Sequence, residues 1–222
     1  MIYHAVFVFI IVVLRVKNMN SASILFVISA ASGTGKTTLL SRLLKEEKNI
    51  AQIITHTTRP MRPGEISGED YHFVSKEIFD ELQDKNLLVE SAKVFGLDYG
   101  TAKASVDKAC ENNKDAIINI DYQGAQSFRK TFGAQVVSIF LLPPSWDILE
   151  KRLRSRASDS EEVIQRRLNF AREEISHHGL FDYCLINDDL EHTLRNLKII
   201  IEAERFKTAR IKLKHQDLFE GF

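Results

Sequence analysis

Cysteine is scarce in this chain, with 2 among 222 residues. Cys110 and Cys184 stand far apart, and neither belongs to a paired metal-type spacing. Both therefore read as reduced core thiols of a cytosolic protein. An excess of one charge is missing too. Lysine plus arginine number 30 and aspartate plus glutamate number 30, so the formal net charge is zero. No global basic footprint points to nucleic acid. The 7 histidines are scattered, and the adjacent His177 and His178 would point in different directions on a helix, so no histidine metal site is expected. Long apolar runs are absent as well. A spanning helix needs about 20 apolar residues, and the run AVFVFIIVVL over residues 5–14 is too short. Arg15 and Lys17 follow that run rather than precede it, and no A-x-A site appears, which fits a signal peptide poorly. Met19 is the expected true start, with residues 1–18 a mis-assigned N-terminal extension. A short membrane anchor is the other reading of that stretch. There are no repeats and no low-complexity linker.

What is present is enough apolar content, 44%, to bury one sizeable core. ILFVI (24–28), AIINI (116–120), QVVSIFLL (135–142) and YCLIN (183–187) are short apolar runs of the buried-strand kind. Between them lie helical stripes: Leu39, Leu40, Leu43 and Leu44; then Ile164, Leu168, Ala171 and Ile175. A final helix is expected through Leu190, Leu194, Leu197 and Ile201. Strands alternating with helices predict an α/β fold with a mainly parallel sheet covered on both faces. Residues 53–103 break the rhythm with prolines, glycines and short alternating pieces such as YHFV (71–74). They predict an inserted subdomain of small strands and turns. Residues 151–167, KRLRSRASDSEEVIQRR, are dense in charge and predict a mobile segment over the site.

Residues 29–40 read SAASGTGKTTLL. This is the phosphate-loop formula G-x-x-x-x-G-K-[ST] with Ala30 in place of its first glycine. Such a loop works because successive backbone N–H groups converge on an anion at a helix N-terminus. Gly33 and Gly35 let the backbone turn without a Cβ clash. Lys36 reaches the outer phosphates, and the Thr37 hydroxyl is a ligand for Mg²⁺. Ala30 occupies the bend leaving the strand, where alanine is tolerable if its φ is negative. A nucleotide is implied, without the reaction.

Four further stretches fall in order along the chain: THTTRPMRPGE (55–65), GEDYHF (68–73), LVESAKVFGLDYGT (88–101) and NIDYQGAQ (119–126). With the loop they resemble the guanylate kinase family, from about Ile24 to the last helix. The resemblance implies transfer of the γ-phosphate of ATP to GMP. It implies a phosphate-loop core (19–53, 104–146, 171–222), a GMP-binding insertion (54–103) with a small mixed sheet, and a helical lid (147–170). ATP would lie on Ala30, Ala31, Ser32, Gly33, Thr34, Gly35, Lys36, Thr37 and Thr38, with Asn187 on the adenine side. Arg59 and Arg62 would grip the GMP phosphate, helped by Tyr71 and Tyr99, since guanidinium forks suit phosphate oxygens. Glu90 and Asp121 would read the guanine edge, with Thr55 and Thr101 beside the base. Arg156 and Arg167 would neutralise the transferring phosphoryl group, alongside Lys36. Arg154, Arg166 and Arg172 read instead as a solvated helix face.

Three positions depart from the family's pattern. Ala31 stands where proline is frequent, and Thr55 where serine is commoner. Asn119 stands where the family usually has the first aspartate of L-D-I-D. There it would serve Mg²⁺ through a bound water, without bringing charge. Two other readings fit the loop: a guanylate-kinase-like binding domain without catalysis, and a phosphate-loop kinase acting on a sugar phosphate. The first tends to lose the phosphate loop, and the second should lack the guanine-reading carboxylates. The expected partners are GMP and ATP, with Mg²⁺, in the cytoplasm. Nucleic acid and membrane are not expected as partners, and self-association is left open.

Overall fold

The computed structural model describes residues 23–94, 96–155 and 161–220. The extension 1–18 and Arg156, which is expected in the lid, lie outside the described residues. No helix among those described is long and apolar enough to cross a membrane.

Five parallel strands form the main sheet. They are β1 (Leu25–Ala30), β2 (Ile50–Gln52), β7 (Asp115–Asn119), β8 (Val136–Leu142) and β9 (Tyr183–Ile186), in the order β2-β7-β1-β8-β9. Every residue of β1 is buried, as a central parallel strand with both faces covered requires. Phe26 and Ile28 face Leu39 and Leu43 of helix α1 (Lys36–Glu46) and Leu194 and Leu197 of α7 (Leu190–Arg205). Leu25 and Val27 face Val106 of α3 (Lys103–Ala109) and Phe128 of α4 (Tyr122–Phe132). Burying each such side chain is worth roughly 1.5–3 kcal/mol. The fifth strand, β2, was not foreseen. It is a three-residue edge strand, IAQ, too short to show a pattern.

The smaller sheet holds β3 (His56–Thr57), β4 (His72–Phe73), β5 (Leu88–Val94) and β6 (Leu97–Ala102), in the order β4-β3-β6-β5. The β3–β4 pair is parallel, whereas β6 runs antiparallel to both β3 and β5, so the sheet is mixed. The expectation of strands and turns alone is corrected by helix α2 (Lys76–Asp84). Ser75 caps it by accepting a hydrogen bond from the Ile78 N–H at 3.4 Å, and Phe79 is its one buried residue. Ile78, Phe79 and Leu82 stand at helical spacing within it, a signal that the reading of this stretch as strands and turns passed over.

Helices α5 (Trp146–Arg154) and α6 (Glu161–Ser176) pack together beside the loop after β1. Leu149 and Leu153 of α5 join Ile164, Leu168 and Ala171 of α6 around Ala31. Two short helices, α8 (Thr208–Lys214) and α9 (Gln216–Phe219), follow α7, so α7 is not the final helix. Cys110 is buried as expected, but Cys184 is exposed. Strand β9 lies at the sheet edge and buries Leu185, which turns the neighbouring Cys184 outward.

Candidate active site

Strand β1 delivers the glycine loop to the carboxyl end of the parallel sheet, between β7 and β8. Ligands of open α/β sheets bind at that end. Gly33 and Gly35 take positive φ values of 89° and 97°, which side chains resist. The non-glycine residues with positive φ are Asn86, Asn112 and Asn113 among those described, so Ala30 has an ordinary backbone and its methyl is buried in the core. Gly35 precedes α1 in the left-handed region, and no side chain caps the helix. The first N–H groups of α1 are therefore left for an anion.

The loop is braced from behind. Asn187, only 6% exposed, donates its amide to the Thr34 carbonyl at 2.6 Å. Arg152 donates to the same carbonyl at 3.2 Å. The structure therefore uses the Asn187 amide on the loop itself, 153 residues away in sequence. Neither this contact nor that of Arg152 has a local sequence signature. A Cβ on Gly35 would stand 2.7 Å from Asn187 Nδ2. Gly35→Ala is accordingly expected to cost ~1–3 kcal/mol in backbone strain and to weaken nucleotide binding about tenfold or more. Thermal denaturation and calorimetric titration of ATP check this; an unmoved Tm with unmoved affinity would show that the loop adapts.

A cleft of about 490 Å³ opens in front of the loop, a size suited to a small-molecule ligand. Its walls bring together the loop from Ala30 to Thr38 with Thr55, Arg62, Tyr71, Glu90, Tyr99, Asn119, Asp121 and Arg167. These come from strands of both sheets, from the loops beside them and from α6. A second concavity of similar volume lies between α1 and α7, but most of its charges are already paired, as in Lys198–Glu46 at 2.8 Å. It is a solvated ion-pair groove.

Lys36 begins α1 and is partly buried in the cleft. Desolvation pulls its ammonium down to about 8, opposed by the carboxylates of Glu174 and Asp121. On the opposite wall, Glu90 accepts a hydrogen bond from Thr101 Oγ1 at 2.6 Å. Burial pushes its carboxyl up to about 7; the Thr101 bond opposes this and Asp121 adds to it. Thr101 is fully buried, so its hydroxyl orients Glu90 rather than facing the cleft. Asp121 is the N-cap of α4, and its Oδ1 accepts from the Gly124 N–H at 2.8 Å. This fixes the carboxylate.

Arg62, Tyr71 and Tyr99 lie on the wall, with the two tyrosine rings edge to face at 6.1 Å. Arg59 stands behind them, 9% exposed. Its guanidinium pairs with Glu65 at 2.6 Å and donates to the Pro60 carbonyl at 2.8 Å. It also lies 5.3 Å and 5.4 Å from the ring centres of Tyr71 and Phe73. Glu65 fixes this arginine, and it is not among the expected site residues. Nor was Glu174, a buried carboxylate of α6 that lines the cleft beside the loop.

The donors present suit a hard cation. Thr37 is exposed on the cleft wall, and Asn119, Asp121 and Glu174 offer further oxygens. No group of three or more His, Cys, Asp or Glu residues is arranged to cage a metal among the described residues. Mg²⁺ needs no such cage, because it keeps several waters and takes one or two protein ligands plus substrate phosphates.

The guanylate kinase family model matches residues 22–204. A guanylate kinase of Nitrosospira multiformis is 45% identical over 87% of this chain and 92% of its own length. One of Neisseria gonorrhoeae is 49% identical over 84% of this chain and 90% of its own. The crystal structure of guanylate kinase from Anaplasma phagocytophilum superposes with a TM-score of 0.72 at 33% identity, covering 87% of this chain and 93% of that one. With a matched region that takes in the loop, the cleft and both sheets, this chain belongs to the guanylate kinase family.

Proposed function

We propose that this protein transfers the γ-phosphate of ATP to GMP, giving ADP and GDP. The observation that carries the reading is the cleft itself. A phosphate loop with Lys36 opens into the same space as the carboxylates Glu90 and Asp121. An anion cradle faces a site that accepts hydrogen bonds.

In this reading the loop N–H groups and Lys36 hold the donor phosphates. Arg62, Tyr71 and Tyr99 hold the acceptor phosphate, joined by Arg59 once it leaves Glu65. Glu90 and Asp121 take the donors of guanine, with the Thr55 hydroxyl available for O6. Thr101 keeps Glu90 in place. The reacting nucleophile is an oxygen of the GMP phosphate, already ionised at neutral pH, so no strong general base is needed. The protein contributes alignment and positive charge where negative charge develops. Lys36, Arg167 and Arg156 supply that charge. Asn187 acts by bracing the loop at Thr34. Mg²⁺, when bound, neutralises charge on the phosphates; Thr37 would hold it, with Asn119 on its hydration shell. Residues 54–103 serve GMP, 147–170 form the lid, and the rest of 19–222 forms the core. The expected setting is the cytoplasm.

The test is direct. The purified protein is mixed with ATP, Mg²⁺ and one acceptor at a time, and ADP release is followed. GMP should drive release strongly, while sugar phosphates should leave it at the rate without acceptor. No GMP-dependent release under any Mg²⁺ concentration would overturn the proposal.

A further inference from the structure

We propose that Glu174 is a positioning residue of the phosphate loop, whose carboxylate stands where the terminal phosphate of the donor binds and is displaced by it. The inference rests on the ATP-dependent reading above. Glu174 lies in the last turn of α6, three residues beyond Ala171 in the seam that seals this helix onto Ala31. It is 8% exposed and lines the cleft together with the loop. The Ser32 backbone N–H of the loop and the Lys36 ammonium both favour the charge on its carboxylate. Oε2 is buried with no hydrogen-bond partner.

A buried carboxylate is costly unless both oxygens are matched. Glu174 is matched on one side only. Its partners, a loop N–H and the loop lysine, are the groups a phosphate loop presents to its anion. The side chain therefore stands in for a phosphate and holds the loop in shape without one. Its hold is weak. Burial makes its charge costly, and the Lys36 ammonium offsets only part of that cost. A terminal phosphate brings more charge and more acceptor oxygens, and it engages loop amides that one carboxylate does not reach. The same logic appears at Arg59, where Glu65 occupies a guanidinium meant for phosphate. The side of the cleft also fits. Helix α6 carries Arg167 on the same wall, so Glu174 approaches the loop from the side of the phosphoryl group in transfer. Displacing it from Ser32 releases a polar tie between α6 and the loop, which couples loop occupancy to the seating of this helix.

A purely structural role makes a different prediction. If Glu174 only pins α6 in place, its loss lowers Tm and leaves the preference among nucleotides alone. Displacement predicts a gain confined to ligands that carry a third phosphate. The measurement is calorimetric titration of the full chain, in Mg²⁺, with ADP and with a non-hydrolysable ATP analogue. Glu174→Gln keeps an acceptor for the Ser32 N–H but carries no charge. It should raise the ratio of analogue affinity to ADP affinity about tenfold, the scale expected for removing a like charge a few ångströms from a phosphate. Glu174→Ala should move the ratio in the same direction, with a lower Tm. An unchanged or reduced ratio in both variants overturns the inference. The readout needs no acceptor. A wild type that binds the analogue but transfers nothing to GMP removes the proposed function and leaves this inference standing. An active wild type whose variants keep the ratio does the reverse.

Discussion

Lys36→Ala is expected to lower GMP-dependent ADP formation by a factor of about 10³ or more, while Tm changes little. The two halves of that expectation have separate causes. The ammonium begins α1 at the mouth of the glycine loop and lines the cleft. In the proposed reaction it would meet the phosphates both before and during transfer, when charge on the oxygens is redistributed. No neighbouring cation among the described residues of the loop can take its place, because the loop from Ala30 to Thr38 contains no other basic residue. Stability is another matter. Desolvation pulls the Lys36 ammonium down to about 8, against the carboxylates of Glu174 and Asp121. A lysine whose folded pKa lies below its unfolded one costs folding free energy while charged. That cost is fully present below about pH 8 and is relieved as pH rises from there toward the unfolded value of 10.5. Its removal thus takes away a penalty along with a partner for Glu174. Steady-state ADP release and thermal denaturation at pH 7 are the measurements. Near-normal turnover would remove the loop from the mechanism, whereas a collapsed Tm would make Lys36 a folding residue.

The loop could be read in the sequence because its chemistry is local. Lys36 and Thr37 follow Gly35 directly, and the strand before them is an unbroken apolar run. The central strands were legible for the same reason, each being buried on both faces. What escaped is what depends on distant partners or on short elements. Asn187 meets Thr34 across 153 residues, and nothing in IND says that its amide faces a carbonyl rather than a base. Thr101 reads as a hydroxyl for substrate, yet the β5–β6 pairing sets it opposite Glu90 and spends its proton there. Glu174 adjoins the stripe of Ile164, Leu168 and Ala171. A glutamate in that place reads as the solvated flank of an amphipathic helix. It is buried because α6 lies against the loop, a tertiary fact without a periodic signal. Cys184 was misread for the opposite reason, since a central strand and an edge strand share one apolar composition. The edge leaves alternate positions outside.

GMP is expected to exceed AMP in kcat/KM by about 10⁴-fold, because sites built on hydrogen bonds to a substrate's N–H groups reject analogues that lack them. Guanine presents N1–H and a 2-amino group, both donors, beside the O6 acceptor. Adenine offers an N1 acceptor and a 6-amino donor, and it has no 2-amino group. The cleft into which the loop opens carries Glu90 and Asp121, and both are fixed. Glu90 is held by Thr101 at 2.6 Å. Asp121 is held by the Gly124 N–H at 2.8 Å. Neither can turn away at low cost to suit adenine, which would set acceptor against acceptor. An unmatched buried polar group costs about 1–3 kcal/mol, and more when charged. IMP, which lacks only the 2-amino group, should be a poor acceptor between the two. The environment of Glu90 adds a second signature. Burial pushes its carboxyl up to about 7, above the unfolded value, so the folded protein holds this proton longer than the unfolded chain. For this group, stability falls as pH rises from about 4.5 to about 7 and stays reduced above that. In the proposed complex guanine's donors would compensate the cost of this buried charge. Glu90→Gln is therefore expected to keep or raise Tm at pH 8, to spare ATP binding, and to cut GMP use through KM and kcat together by about 10²-fold or more. Acceptor kinetics with GMP, IMP and AMP, alongside denaturation of the variant at pH 8, measure all of this. Comparable kcat/KM for AMP and GMP in the wild type would strip Glu90 and Asp121 of their role as guanine readers. A variant that loses Tm together with activity would mean that the Glu90–Thr101 pair supports the fold before it supports the base.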